Sequence, residues 1–263
     1  MDPPRTYSST NGAVLSGFIN LLVIIIGLIV LYYSYQFLFG TSMLNSVTIE
    51  PGKITANQGL KTYTNQAKLY EGGEYTVNLW VYISGWAQLR GTRKHVFEIG
   101  GTQFSTLLIS LGGQKNSLSV RVDAVDASGN PMGSNTGGLA ASQINQLFTP
   151  FASDISAPCD IDEIDLQRWI QISVVLNGNV CDVYMDGKLV RSCVLASYFR
   201  VDTTGQIVKL VDRGGFDGYV SQVSTYNYAL HPTSIYNMYM SGPSSTVTDV
   251  WSYFVSLFQK KKN

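Results

Sequence analysis

The sequence predicts an all-β protein, an antiparallel β-sandwich of the jelly-roll type, with one N-terminal transmembrane helix and a C-terminal amphipathic helix. Three observations predict this: a long uncharged apolar segment, a series of short alternating segments separated by turn residues, and a final segment with aromatic residues at helical spacing. The predicted divisions are a short tail at 1–12, a transmembrane helix at 13–39, a linker with the first strands at 40–74, the sandwich at 75–243 and the amphipathic helix at 244–263.

The first segment, Ala13–Phe39, is almost unbroken apolar sequence, and no Asp, Glu, Lys or Arg occurs between Thr6 and Ile49. As a helix it would be roughly 40 Å long at about 1.5 Å per residue, enough to cross a hydrocarbon core of about 30 Å. A buried helix of a soluble protein keeps a polar stripe, and a cleaved signal peptide has a shorter apolar region. We therefore expect a single-pass anchor in the lipid bilayer. Its interfacial aromatic residues are Tyr32, Tyr33 and Tyr35.

The orientation of this anchor depends on its flanks, which hold Arg5 on one side and Lys53 on the other. One basic residue on each side gives no charge bias. We expect the N-terminus on the cytoplasmic side, because the short tail leaves the bulk of the protein as the far domain. The β-domain then lies on the non-cytoplasmic side. If the protein is instead part of a viral particle, we expect the domain on the surface of an internal viral membrane.

Composition limits the classes of partner and site. The net charge is zero and charged residues are 14% of the chain, so no overall field attracts nucleic acid. Sixteen Tyr and 25 Gly residues favour β-structure with many turns. Three cysteines are too few and too irregular for a disulfide scaffold or a zinc site, and their odd number leaves at least one free thiol.

The clearest strand is Tyr75–Ile83, which alternates at period two and places its odd-numbered residues on one buried face. Further strands are predicted at His95–Ile99, Thr106–Leu111, Leu118–Val125, Trp169–Leu176, Asn179–Met185, Lys188–Val194, Ile207–Val211 and Phe216–Tyr226. Gly129–Phe151 lacks alternation and predicts a long loop with a short helix at Ala140–Leu147.

A hairpin is predicted around Asp186-Gly187, because Gly provides the positive φ that the turn requires. A two-residue type I′ turn places Cys181 opposite Ser192, and a type I turn with a bulge at Gly187 places Cys181 and Cys193 diagonally on one face. Neither register pairs the two cysteines directly, so we expect no bridge between them. The sequence does not decide whether Cys159 forms a disulfide with Cys181 or with Cys193.

Three segments carry a resemblance to a known family: Arg168–Val174, Val183–Val190 and Phe216–Leu230, the last followed by a predicted helix at Pro232–Met240. Their order resembles the laminin-G-like branch of the concanavalin A-like lectin/glucanase superfamily, over about Tyr75–Met240. The family recurrently has a Trp-led strand, a Tyr-x-Asp-Gly hairpin and a closing strand that ends in Tyr-Asn-x-Ala-Leu. One departure is that Ser221-Gln222 replaces the acidic residue usual in the closing strand.

The superfamily includes glucanases with two catalytic carboxylates on one strand, and Asp162-Glu163-Ile164-Asp165 begins like their motif. The second glutamate is absent, however, and Arg168 occupies its position. We therefore interpret the segment as a loop that leads into the Trp169 strand. The two histidines, His95 and His231, have no supporting triad pattern, and we expect no enzyme.

The resemblance implies binding of a glycan or a protein through loops at one edge of the sandwich, sometimes with Ca²⁺. The candidate ligand-binding residues are Trp86, Asp126 and Asn130, although the alternative for Trp86 is packing. The candidates for Ca²⁺ ligands are Asp123, Asp126 and Asn130 in one loop and Asp160, Asp162 and Asp165 in another. Neither loop matches an ordered calcium motif, and we expect no other cofactor.

The C-terminal segment has Thr246 and Asp249 in capping-box spacing, followed by apolar residues at helical spacing. One interpretation is a helix packed on the sandwich or on a partner. The other is a helix in the membrane interface, with Trp251, Phe254 and Phe258 in the bilayer and Lys260, Lys261 and Lys262 near anionic headgroups.

Two functions remain at this point. The first is a membrane-anchored, non-catalytic, lectin-like domain that binds a glycan or a protein. The alternative is a structural, membrane-associated component of a viral particle, in the capsid or envelope, whose jelly roll contacts other structural proteins of a large assembly. The absence of any Asn-x-Ser/Thr sequon keeps the alternative open.

Overall fold

The structure is a computed structural model that describes residues 10–39, 45–124, 139–152 and 158–243. The chain forms two compact units, Met1–Ser42 and Met43–Asn263. Three helices lie in the described residues: α1 (Thr10–Phe39), α2 (Ala141–Leu147) and α3 (Pro232–Ser241). The predicted C-terminal helix at 244–263 lies outside the described residues.

The first unit contains α1, so the predicted helix at 13–39 is confirmed as a helix. Its side chains are described over Phe18–Ser34, and all of these are exposed. Within the described part of the chain, no helix is long and apolar enough to cross a membrane. The transmembrane character of this segment therefore stays a prediction.

The second unit is an antiparallel β-sandwich, as predicted. Its strands are β1 (Ser46–Glu50), β2 (Ile54–Thr55), β3 (Lys61–Tyr63), β4 (Glu74–Ile83), β5 (Lys94–Gly100), β6 (Ser105–Leu111), β7 (Leu118–Val122), β8 (Trp169–Asn177), β9 (Val180–Met185), β10 (Lys188–Val194), β11 (Ile207–Leu210) and β12 (Gly218–Tyr226). In the described residues, one seven-stranded sheet has the order β1-β12-β4-β8-β9-β10, with β2 also paired to β12. The five-stranded sheet has the order β3-β11-β5-β6-β7.

The core lies between the two sheets and follows from their alternation. Tyr75, Val77, Leu79, Val81 and Ile83 are all completely buried, which confirms the predicted inner face of β4. Alternate residues of the other strands join them in one apolar cluster. Removal of this much apolar surface from water is the main stabilising contribution to such a domain.

Two helices cover the outer faces of the sheets. Ile235 of α3 is buried against Val175, Tyr184 and Leu230 on the seven-stranded sheet. Ile144 of α2 packs with Leu108, Leu139 and Phe148 on the five-stranded sheet. Both helices were predicted from the sequence.

The β9–β10 hairpin corrects the predicted register. Asp186 and Gly187 both have positive φ, at 50° and 74°, which is typical of a type I′ turn. An irregularity between Leu189 and Arg191 then shifts the pairing, so that Cys193 lies directly opposite Cys181. The prediction that these cysteines are not direct partners was wrong, because a bulge inside β10 adds a residue that the turn does not specify.

The disulfide joins Cys159 to Cys193, whose Cα atoms are 5.6 Å apart, and Cys181 is a buried free thiol. This confirms the expected odd thiol and answers the open question of which cysteine pairs with Cys159. Cys181 and Cys193 are not bonded to each other, as expected. The register from which we expected this was nevertheless wrong, since the two residues are direct partners.

Candidate functional site

Three aromatic side chains lie side by side across three neighbouring strands of the seven-stranded sheet. Tyr82 of β4 pairs with Trp169 of β8 on one side and with Tyr219 of β12 on the other. The ring centroids of Tyr82 and Trp169 are 5.7 Å apart, and those of Tyr82 and Tyr219 are 6.1 Å apart. All three side chains are half-buried. We call these three residues the aromatic row.

The row faces away from the core because of strand alternation. Tyr82 lies between the buried residues Val81 and Ile83, so its side chain points to the opposite face. Two residues earlier on the same face, Trp80 is 4% exposed, because its ring stacks on Tyr239 of α3 at 5.9 Å. Helix α3 thus covers the middle of this face and leaves the row at its uncovered end.

A cation lies over the ring at one end of the row, and an ion-paired arginine precedes the residue at the other end. The Nζ atom of Lys53 lies 4.5 Å from the ring centroid of Tyr219. Arg168, which precedes Trp169 in the chain, lies 2.7 Å from Asp186 and 2.6 Å from Asp165. Burial lowers the pKa of Arg168, but its hydrogen bonds to the two carboxylates outweigh this and raise the pKa above its ordinary value.

A glycine brings two strands of the row together. Gly218 begins β12 and pairs with Ile83. A Cβ atom on Gly218 would lie 1.9 Å from the carbonyl oxygen of Tyr82. The close approach of β12 to β4 beside Tyr219 therefore requires glycine at this position.

A second polar site lies on the outer face of the five-stranded sheet, around Glu98. The carboxylate of Glu98 accepts hydrogen bonds from Ser105 Oγ at 2.6 Å and from Lys209 Nζ at 2.8 Å, and it lies 3.2 Å from His95 Nε2. Burial raises the pKa of Glu98, but the three donors outweigh it and lower the pKa to about 2. The cleft beside Glu98 has a volume of about 70 Å³. Pockets for small molecules are usually about 300–1,000 Å³, so we treat this network as structural.

Three residues in and beside this network are of types that bind metals. His95, Glu98 and Asp212 have ligand atoms within 4.8 Å of one another. The backbone N–H of Asp212, however, donates to Nδ1 of His95 at 3.1 Å. Nε2 must then carry the ring proton and donate it to Glu98, so neither ring nitrogen is open to a metal.

The structure places Trp86 against the sandwich core rather than in the aromatic row. Its ring is half-buried, and Nζ of Lys94 lies 4.6 Å from the ring centroid. These contacts fit the packing alternative for Trp86. The other two candidate ligand-binding residues, Asp126 and Asn130, lie outside the described residues.

The described calcium candidates do not converge. Asp123 accepts a hydrogen bond from the N–H of Leu139, and Asp160 pairs with Arg121. Asp162 is exposed and lies 3.0 Å from Lys115. Among the described acidic residues, these three carboxylates form no common group of ligand atoms, whereas Ca²⁺ requires six to eight converging oxygens.

The predicted membrane-interface residues are described only in part. Tyr32 and Tyr33 are exposed on α1, with ring centroids 5.6 Å apart. The Tyr35 side chain lies outside the described residues, as do Trp251, Phe254, Phe258, Lys260, Lys261 and Lys262.

The glucanase-like segment at 162–168 forms a loop, which confirms the predicted loop before the Trp169 strand. Ile164 fixes the loop to the core, and Asp165 is engaged by Arg168. The acidic residues of this segment therefore do not alternate along a strand, as the retaining mechanism of those glucanases would require.

Sequence reasoning missed the aromatic row. Trp169 and Tyr219 both stand in segments that carry the family resemblance, and Tyr82 stands in the first predicted strand. In each strand's alternation, the three residues occupy positions whose side chains point away from the core. This alternation was the signal from which the row could have been found. Nothing in the sequence stated that β4 lies between β8 and β12, and only that order brings the three rings together.

A laminin G family profile, described as the concanavalin A-like lectin/glucanases superfamily, matches residues 55–236. The chain belongs to this family, and the resemblance given above is confirmed.

Solved structures with a similar fold include a mutant of HCR/D, with 13% identity and a TM-score of 0.50 over 77% of this chain and 48% of that chain. The binding domain of botulinum neurotoxin serotype G has 12% identity and a TM-score of 0.45 over 77% of this chain and 49% of that one. The ligand-binding domain of serotype D, in complex with N-acetylneuraminic acid, has 14% identity and a TM-score of 0.44 over 75% and 42%. The chain thus spans about half the length of these structures, and such identities indicate a shared fold alone. No curated protein sequence matches the chain.

Proposed function

We propose that this protein is a membrane-anchored, non-catalytic, lectin-like domain whose aromatic row binds a glycan. The observation that supports this most directly is the alignment of Trp169, Tyr82 and Tyr219 on the uncovered end of a sheet. The apolar faces of sugar rings pack on aromatic rings, and tyrosine hydroxyls and the indole N–H supply hydrogen bonds at the edge. Three rings in a row suit an oligosaccharide chain better than one isolated sugar.

The charged groups beside the row support a polar ligand. Lys53 is exposed and carries three N–H donors near Tyr219. Asp186, at the other end, is held in place by the N–H of Gln171 at 3.0 Å and by Arg168. Such donors and acceptors can orient the hydroxyl groups of a sugar that rests on the rings.

We also propose that α1 anchors the domain in a bilayer, with the β-domain on the non-cytoplasmic side. The helix is 30 residues long, and its described side chains are exposed and almost all apolar. An exposed apolar helix without charged residues is costly in water and favourable in lipid.

A binding experiment with the full chain in detergent tests the glycan proposal. We expect glycan-array binding that falls about fivefold in Trp169→Ala and in Tyr82→Ala, since one aromatic contact is worth about 1 kcal/mol. Tyr198→Ala is the matched control, because Tyr198 is an exposed tyrosine outside the row. Thermal unfolding of each variant separates lost binding from lost folding. Absence of glycan binding by the wild-type chain, or equal binding by all variants, would refute the proposal.

The second candidate is the structural component of a viral particle, and the edge strand β10 favours it. Leu189, Val190 and Val194 are 53%, 48% and 70% exposed on the outer strand of the seven-stranded sheet. An exposed apolar edge strand can pair with a strand of another protein. Stoichiometric recovery of the chain in purified particles, together with an empty glycan array, would favour this candidate over the lectin.

A further inference from the structure

Three sulfur atoms meet near the edge of the seven-stranded sheet. The Sγ atoms of Cys159, Cys181 and Cys193 all lie within 4.8 Å of one another, and all three residues are buried. Cys159 and Cys193 are bonded to each other, so the thiol of Cys181 stands directly beside an existing disulfide.

The three cysteines belong to separate segments that could be joined in more than one way. Cys159 lies in the loop region before β8, Cys181 in β9 and Cys193 in β10. Cys181 and Cys193 are direct partners in the antiparallel pair. The Cα atoms of such partners are about 4.5–5.5 Å apart, which lies within the range of about 4.4–6.8 Å found for disulfides.

We propose that these cysteines form an exchange triad, in which the disulfide moves between Cys159–Cys193 and Cys181–Cys193. The thiolate sulfur of Cys181 attacks Sγ of Cys193 and forms the new bond. The bond between Cys193 and Cys159 breaks, and Cys159 leaves as a thiolate that takes up the proton released by Cys181. One disulfide and one thiol are present before and after the step, so no outside oxidant or reductant is needed.

The position of β10 gives the exchange a physical route. In the closed fold the Cys181 thiol is fully buried, which raises its pKa to about 12 and keeps the thiolate scarce. β10 is an edge strand whose residues are exposed apart from Cys193, so local opening at this edge exposes the Cys181 thiol to water at the loss of few buried contacts. The exchange then joins β9 to β10 and releases the segment around Cys159 from its covalent link.

Disulfide mapping of the full-length chain tests the triad. In Cys159→Ser, purified under oxidising conditions, we expect a Cys181–Cys193 bridge and complete loss of free thiol. The matched control is Cys181→Ser, which should retain the Cys159–Cys193 bridge. Circular dichroism shows whether each variant folds, and non-reducing peptide mass spectrometry identifies the bridges.

A second measurement uses the wild-type chain and does not depend on the folding of a variant. The chain is held in mildly alkaline, thiol-free buffer, quenched with acid, unfolded and alkylated with N-ethylmaleimide. We expect one adduct per chain, divided between Cys181 and Cys159 in a ratio that changes with time and then becomes constant. The proposal is overturned if the adduct stays on Cys181 alone at all times, or if folded Cys159→Ser keeps two free thiols. If Cys159→Ser does not fold, the wild-type measurement decides alone.

Discussion

Lys209 of β11 lies directly opposite Glu98 of β5, and its Nζ atom is 2.8 Å from Oε1 of that carboxylate. The Glu98 side chain is 2% exposed, so it can be ionised in the folded state only because Lys209, Ser105 and His95 donate to it. The outer face of the five-stranded sheet thus holds a charged network beside the apolar cluster under α2, whereas its inner face is apolar.

This network predicts loss of stability in acid. The pKa of Glu98 falls from 4.5 in its ordinary state to about 2 in the fold, so its contribution is fully present above about pH 4.5. It should be lost progressively as the pH falls towards 2, because the unfolded chain takes up the proton first. Urea unfolding between pH 6 and 2 measures this slope for the wild type.

Glu98→Gln is the matched variant for the acid experiment. It should be less stable than the wild type at pH 6, since Lys209 then lacks its carboxylate, and it should show a shallower decline between about pH 4.5 and 2. Equal slopes for the two proteins would contradict the assignment of this acid dependence to Glu98.

The close approach of β12 to β4 at Gly218 predicts that one added methyl group strongly destabilises the fold. Gly218→Ala should reduce the free energy of unfolding by several kcal/mol, because the new Cβ would lie 1.9 Å from the carbonyl oxygen of Tyr82. Gly52→Ala is the control, because its Cβ would have one contact at 3.7 Å, and it should change stability by less than about 0.5 kcal/mol. Chemical denaturation of both variants tests the comparison.

Helix α3 should depend on one buried side chain. Ile235→Ala should destabilise the domain by about 2–4 kcal/mol, because Ile235 is 0% exposed and packs against Val175, Tyr184 and Leu230. Tyr236→Ala changes the neighbouring exposed residue and should have a small effect. Similar melting temperatures for the two variants would contradict the packing described for α3.

If α1 anchors the protein in a bilayer, the chain should be found in the membrane fraction of a cell lysate. The wild-type chain should stay with membranes after alkaline extraction. Replacement of Ile24 and Ile25 by Asp should release it, because each Asp at the centre of a span costs about 3 kcal/mol. Leu60→Asp places the same charge on the exposed surface of the second unit and should leave the distribution unchanged. Release of the wild type under these conditions would refute the anchor.

The fold was predictable from the sequence to a large extent, because alternation and turn residues act locally. Tyr75–Ile83 shows this well, since a period of two places five apolar residues on one face in any context. The Asp186-Gly187 turn is equally local. The candidate site was not predictable in this way, and Trp86 shows why: an aromatic residue near a strand end looks the same in sequence whether it packs or binds.

The amino-acid sequence alone determined the elements of this protein: an apolar helix, a sandwich of short strands, an odd number of cysteines and a loop before the Trp169 strand. Only the tertiary structure decided which elements became neighbours. The order β12-β4-β8 aligned Tyr219, Tyr82 and Trp169, and a bulge in β10 brought Cys193 opposite Cys181. The physical reason is that alternation and turns depend on neighbours in the chain, whereas strand order and bulges depend on how the whole core packs.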